Sequence, residues 1–232
     1  MIESLGPQEW TAIMLSLRVA LVATLAALPV AIWVAYILAR KTFPGRQFLN
    51  GLVHLPLVLP PVVTGYLLLV LFGQQGAIGG PLYDIFGISF AFRWTGAALA
   101  AAIMAFPLMV RAIRLGFEAV DPGLEDAAAT LGASRWRVMF TVTLPLVLPG
   151  ILAGGILGFA KALGEFGATI TFVAAIPGQT QTIPTAIYGL LQVPGEEPAV
   201  LGLVVVSVVL AMGALLVSEW LARRMARKVG RV

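Results

Sequence analysis

Glu125-Asp126-Ala127-Ala128-Ala129-Thr130-Leu131-Gly132 opens a stretch that runs through Trp136 and closes at Val142-Thr143-Leu144-Pro145. It is the longest run of the chain that does not read as membrane-like, and hydrophobic segments lie on both sides of it. Pro122-Gly123 precedes it, and no Gly or Pro falls between Leu124 and Leu131, so the spacing predicts a short helix there. Small side chains at Ala127, Ala128 and Ala129 leave that helix a thin face which another protein can approach closely. Gly132 allows a turn after it, since glycine takes positive φ at little cost. Taken alone, the stretch is an ordinary amphipathic loop between two spans.

The spacing is more specific. Glu/Asp-Ala-Ala, three residues, Gly, nine residues, then an apolar residue, x, Leu-Pro resembles the EAA loop of ABC-importer permeases. Asp126 stands where that family has Glu, and Val142 where it has Ile. In the family this loop is the helix that docks into a cytoplasmic ATPase subunit. The resemblance implies a coupling loop over residues 121–145. It implies that Glu125, Asp126, Ala127, Ala128, Leu131, Gly132, Arg135, Trp136 and Arg137 form the ATPase-coupling surface.

Composition sets the surroundings. The chain has 232 residues, 59% of them hydrophobic and 11% charged, with mean hydropathy +0.97. Soluble domains carry about 25% charged residues, so this is an integral membrane protein, read as one domain over residues 1–232. The net charge of +4 does not point to nucleic acid, because the basic residues sit at span edges rather than on one patch. With no Cys, disulfides and thiolate metal sites are excluded. The single His54 lies in an apolar segment and reads as a packed residue, not a ligand. There is no metal-ligand cluster, no nucleophile–base pair and no Gly-x-x-x-x-Gly-Lys-Ser/Thr phosphate loop. The chain is therefore expected to be non-catalytic and to bind no cofactor; ATP and Mg belong to a partner.

Five spans are expected, at about residues 10–38, 48–72, 94–113, 144–163 and 199–221. The first is too long for a signal segment and ends in Arg40-Lys41, so it stays uncleaved. Arg18 within it reads as an interfacial anchor, with a substrate role as the alternative. Pro56, Pro60 and Pro61 interrupt the second span and strip backbone carbonyls of partners. Residues 55–65 are then either a piece of pathway wall or a packing kink. Gly150, Gly154, Gly158 and Ala162 give the fourth span a small-residue face, a candidate for close packing near a two-fold axis. Lys161 and Glu165 are spaced to pair on a neighbouring face. Helix is expected to continue through Gly164-Glu165-Phe166-Gly167-Ala168-Thr169-Ile170-Thr171 to a break near Pro177-Gly178, with a short re-entrant or interfacial helix within residues 182–192. Residues 194–198 read as an exposed loop.

Twelve of the fifteen Lys and Arg then fall on one side: Arg40, Lys41, Arg46, Arg111, Arg114, Arg135, Arg137 and the cluster from Arg223 to Arg231. The positive-inside rule makes that side cytoplasmic, with the N-terminus outside and the C-terminus inside.

Three further segments extend the resemblance. Ala39-Arg40-Lys41-Thr42-Phe43-Pro44-Gly45, His54-Leu55-Pro56-Leu57-Val58-Leu59-Pro60-Pro61 and Leu163-Gly164-Glu165-Phe166-Gly167-Ala168-Thr169, with Gln181-Thr182-Ile183-Pro184, look like the molybdate permease subunit family. The likeness covers nearly the whole chain. It implies an all-α type I ABC importer transmembrane domain in a bacterial inner membrane. The implied partners are a second copy of the chain, two cytoplasmic ATPase subunits, an external molybdate-binding protein and membrane lipid. It implies passage of molybdate and of tungstate, a tetrahedral dianion of similar size; sulfate or thiosulfate is the alternative cargo. A gradient-driven anion transporter is the second class, for which Lys161–Glu165 is the one near-midspan candidate relay; a purely structural membrane scaffold is the third. Pathway candidates are Pro60, Pro61, Lys161, Gly164, Glu165, Gly167, Thr169 and Thr171. The hydroxyls of Thr169, Thr171, Thr182 and Thr185 more commonly bond their own backbone.

Overall fold

The computed structural model describes residues 5–229, without the side chains of 218, 219 and 221–229. Arg231, and the side chains of the C-terminal basic cluster, lie outside the described residues. All regular structure among the described residues is helical. Helix α1 (Pro7–Arg40) has Pro at its start, Glu9 in its first turn and Arg40 in its last. Each suits the helix end it occupies. At 1.5 Å per residue its 34 residues reach about 51 Å, well beyond a hydrocarbon core of about 30 Å.

The centre of the bundle is α5 (Trp94–Glu118), packed most extensively against α1 and α8 (Leu144–Leu163). Alanines make this possible. Ala20, Ala23, Ala27, Ala31 and Ala35 of α1 are buried, as are Ala97, Ala98, Ala100, Ala101 and Ala105 of α5. Lipid offers no hydrophobic drive for helices to associate, so close backbone approach and dense contact must supply it. On α8 the glycine stripe meets α5 of the same chain. A Cβ on Gly154 would lie 2.8 Å from Ile113 Cγ1, one on Gly158 2.6 Å from Met109 Cγ, and one on Gly150 3.1 Å from Gly116 Cα. The small-residue face therefore packs inside its own bundle. A glycine stripe specifies a close neighbour but does not say which one.

The second span is broken rather than kinked. Helix α2 (Arg46–Val58) continues through Pro56, and α3 (Pro61–Phe72) departs from it at 113° after Leu59-Pro60. Adjacent prolines remove two N–H donors and hold Leu59 and Pro60 extended. Arg46 donates to Leu38 O at 2.6 and 3.1 Å, and Arg114 donates to Asn50 Oδ1 at 3.2 Å, placing α2 at the basic end of α1 and α5. At the other end of α5, Phe72 meets Phe90 edge-on at 5.9 Å. The pair thus joins opposite ends of α5. Among the described residues α1, α5, the helix through α8 and α11 (Glu197–Val229) are each long and apolar enough to cross a membrane, and the bent pair, counted as one span, makes a fifth.

The fourth span also differs from expectation. Its helix stops at Leu163, Gly164 to Phe166 leave the helical path, and α9 (Gly167–Val173) resumes. The break comes well before Pro177-Gly178. Ala174 ends α9 at φ 59, and Thr180 closes the turn that follows. The Thr180 hydroxyl accepts from Ile176 N at 2.9 Å and approaches the Val173 and Ala174 carbonyls at 3.2 and 3.1 Å. The short helix expected next is α10 (Ile183–Leu190). Its first N–H, on Ile183, donates 2.7 Å to the buried Ser16 hydroxyl of α1. Between α3 and α5 lies the short helix α4 (Gly79–Phe86). The loop before α11 is shorter than expected, since that helix already begins at Glu197.

Candidate functional site

The EAA-like stretch folds as two short helices, the second of them continuous with the fourth span. In α6 (Pro122–Thr130) the Asp121 carboxylate accepts from Gly123 N at 2.9 Å, Pro122 fills the first position and Glu125 lies in the first turn. That is a complete helix start. Gly132 then turns the chain at φ 86, and nothing lies within 4 Å of the position a Cβ would take there. Ser134 starts α7 (Arg135–Val138), which runs through a π-helical turn, Met139–Thr143, into α8. Asp126, Ala127, Arg135 and Arg137 are exposed. So are Leu131, at 88%, and Trp136, at 74%, with Trp136 stacked on Phe140 at 6.2 Å. Leu131, Trp136 and Phe140 are thus large apolar side chains that this chain leaves uncovered.

Glu125 differs from its neighbours. Its carboxylate turns inward, accepting from Arg40 Nη2 at 3.2 Å and from the buried Thr143 hydroxyl at 2.7 Å. Arg40 also reaches Val120 O at 3.5 Å. One acidic side chain therefore links α6, the end of α1 and the π-helical entrance to α8. A cleft of about 440 Å³ beside it is lined by Tyr36, Arg40, Asp126, Arg135 and Thr143, among others. The resemblance puts Glu125 on the coupling surface with Asp126; in the fold the partly exposed Glu125 ties α6 to Arg40 and Thr143, while Asp126 is exposed. The parts played by Arg40 and Thr143 escape the sequence, where nothing sets Thr143 apart from Thr141.

The pathway candidates converge. The break at Leu59-Pro60 and the break at residues 164–166 lie side by side: a Cβ on Gly167 would come 2.7 Å from Pro61 Cβ, and one on Gly65 2.5 Å from Ala168 O. Gly158 packs on Met109 and Val173 packs on Gly96, so the second break falls between those two levels of α5, inside the spans. Lys161 Nζ donates to Glu165 Oε2 at 2.5 Å, and Glu165 Oε1 accepts from Ala168 N at 3.1 Å, which caps α9. Leu157 and Gly164 are exposed on the α8 side that carries Lys161, and Pro61, Val62 and Tyr66 are exposed on α3. Of the threonines, Thr171 donates to Gly167 O at 2.8 Å and Thr185 to Thr182 O at 2.9 Å, both local backbone bonds. Thr169 is fully buried. His54 engages Asn50 O through Nδ1 at 2.8 Å.

Two helix breaks thus meet beside α5, with the two-helix loop at the basic end of the bundle. The fold is that of the type I ABC importer transmembrane domain. A bacterial ABC transporter that imports the acidic polysaccharide alginate matches with a TM-score of 0.74 at 21% identity, over 94% of this chain and 80% of that one. Residues 27–228 match the family described as binding-protein-dependent transport system inner membrane component, and the chain belongs to that family. The molybdenum transport system permease protein ModB of Escherichia coli (strain K12) is 61% identical over 223 residues, 96% of this chain and 97% of that protein. The sulfate transport system permease protein CysW of Synechococcus elongatus is more distant, 39% identical over 65% of this chain and 52% of its own length.

Proposed function

We propose that this chain is the molybdate-conducting permease of an ATP-driven importer, working as a pair of identical subunits with two ATPase subunits and an external molybdate-binding protein. The likeness to a molybdenum permease at 61% identity, end to end, supports the cargo best. Tungstate shares its charge and shape and follows the same route. ATP and Mg act in the ATPase, which grips the exposed face of α6 and α7. The basic end of the bundle lies in the cytoplasm, with the N-terminus outside. Uptake into proteoliposomes holding the full complex tests the cargo. Unlabelled molybdate and tungstate are expected to compete with labelled molybdate, and sulfate is not; the reverse order assigns the chain to sulfate.

The two-fold face follows from what lipid does not tolerate. Irregular backbone and a lysine inside the membrane must be covered by protein or water. Pro61, Gly164 and Lys161 lie on surfaces that this chain leaves open, and Val58 beside them is 81% exposed. The second copy therefore covers the broken helices, and the conduit runs between the two. With single cysteines in this Cys-free chain, Val62→Cys is expected to cross-link between subunits and Gly154→Cys is not. Cross-linking at Gly154 alone would place the axis on the wrong side of α8.

A further inference from the structure

We infer that Glu165 is a resident counter-anion: it neutralises Lys161 inside the conduit and yields the ammonium to a passing tetrahedral dianion. The inference rests on the pathway reading above and goes beyond it by assigning unlike roles to the two members of the pair. The members are unlike in placement. Glu165 has a side chain 2% exposed and both carboxylate oxygens engaged, Oε2 by Lys161 and Oε1 by Ala168 N–H. Lys161 has a side chain 30% exposed, and its ammonium makes this one bond. An ammonium carries three donors on a flexible four-carbon stem. Lys161 can turn to an anion on its open side, while Glu165 is held by the helix it caps.

Charge gives the pair its purpose. Lys161 is set among spans whose other basic residues lie at or near their ends, apart from Arg18, which is stacked 3.8 Å over the Trp94 ring. Two subunits bring two such lysines to one conduit. Unneutralised, they would match a dianion charge for charge in a low-dielectric setting and hold it. A conduit must release what it accepts. With each lysine already paired, the incoming ion exchanges one carboxylate for one of its own oxygens. The exchange conserves the lysine's bonding and keeps residence short.

The test is equilibrium binding of labelled molybdate to the nanodisc-embedded permease–ATPase complex without the external binding protein. Glu165→Gln keeps an oxygen for Ala168 N–H and removes the charge. It is expected to bind molybdate at least ten-fold more tightly than the unaltered complex and to turn over more slowly. The double variant Glu165→Gln/Lys161→Gln is expected to lose that gain. Affinity for molybdate and for sulfate both unchanged in Glu165→Gln, or a gain that survives in the double variant, overturns the counter-anion role. Should Glu165→Gln fail to assemble, the lysine side decides. Lys161→Arg is expected to keep uptake within a few-fold, whereas Lys161→Met, at equal complex in the membrane, lowers it at least ten-fold. Equal uptake by these two overturns the role. If Glu165→Gln gains affinity for sulfate and not for molybdate, the cargo reading fails while the counter-anion stands.

Discussion

Glu125→Ala is expected to insert and assemble but to lose most ATP-driven uptake, at least ten-fold in proteoliposomes. The Glu125 carboxylate joins the coupling helix to Arg40 at the end of α1 and to Thr143 at the entrance to α8. A charged hydrogen bond of this kind contributes about 1.5–3 kcal/mol, so its loss loosens α6 locally without unfolding five spans. A push on α6 would then be absorbed by the loop instead of moving the helices. The π-helical turn Met139–Thr143 makes the junction sensitive, because its wider turn is a weaker continuation of helix than the α8 that follows. Thr143→Val, which removes only one of the two bonds, is expected to fall between Glu125→Ala and the unaltered chain. The informative readout is the ratio of molybdate taken up to ATP hydrolysed, compared with Asp126→Ala, whose carboxylate is exposed. Uptake by Glu125→Ala within two-fold of the unaltered complex would remove the tie from the coupling route.

Gly65→Leu is expected to be strongly damaging. A Cβ at this position would lie 2.5 Å from Ala168 O and 2.9 Å from Ala168 Cα, so backbone must move to admit it. That contact holds α3 against α9 and sets the two breaks side by side. Overpacking of this kind costs about 1–3 kcal/mol when neighbours can shift, and the neighbour here is main chain. The variant is expected to show a lowered melting temperature in detergent and negligible uptake. Gly51→Leu is the control. It is also a helical glycine, but nothing lies within 4 Å of its Cβ position, and uptake is expected to persist. Equal behaviour of the two would mean that α3 and α9 separate without consequence. Gly158→Leu is expected to be milder than Gly65→Leu, since the atoms it meets belong to the flexible Met109 side chain.

What the sequence determined by itself was whatever depends on local chemistry. Hydropathy and the Arg40-Lys41, Arg111–Arg114 and C-terminal basic edges defined the spans, because a bilayer imposes length and charge placement residue by residue. Pro122-Gly123 and Gly132 bracketed the short helix between them, because fixed and positive φ are decided within one turn. The adjacent Pro60-Pro61 showed that the second span is interrupted, since proline removes its donors wherever it stands. Only tertiary structure decided where those interruptions lead. The break after Leu163 escaped the sequence because Gly164 is merely permissive; Glu165, by capping Ala168 N–H across the gap, makes it a stop. The glycine stripe of α8 reads identically whether it faces another subunit or α5, because periodicity gives the spacing of a face and not its neighbour. Glu125 and Asp126 are adjacent acids of like chemistry in the sequence. One becomes a tie and the other a surface group because Arg40, 85 positions away, and Thr143, 18 positions away, approach from a single side.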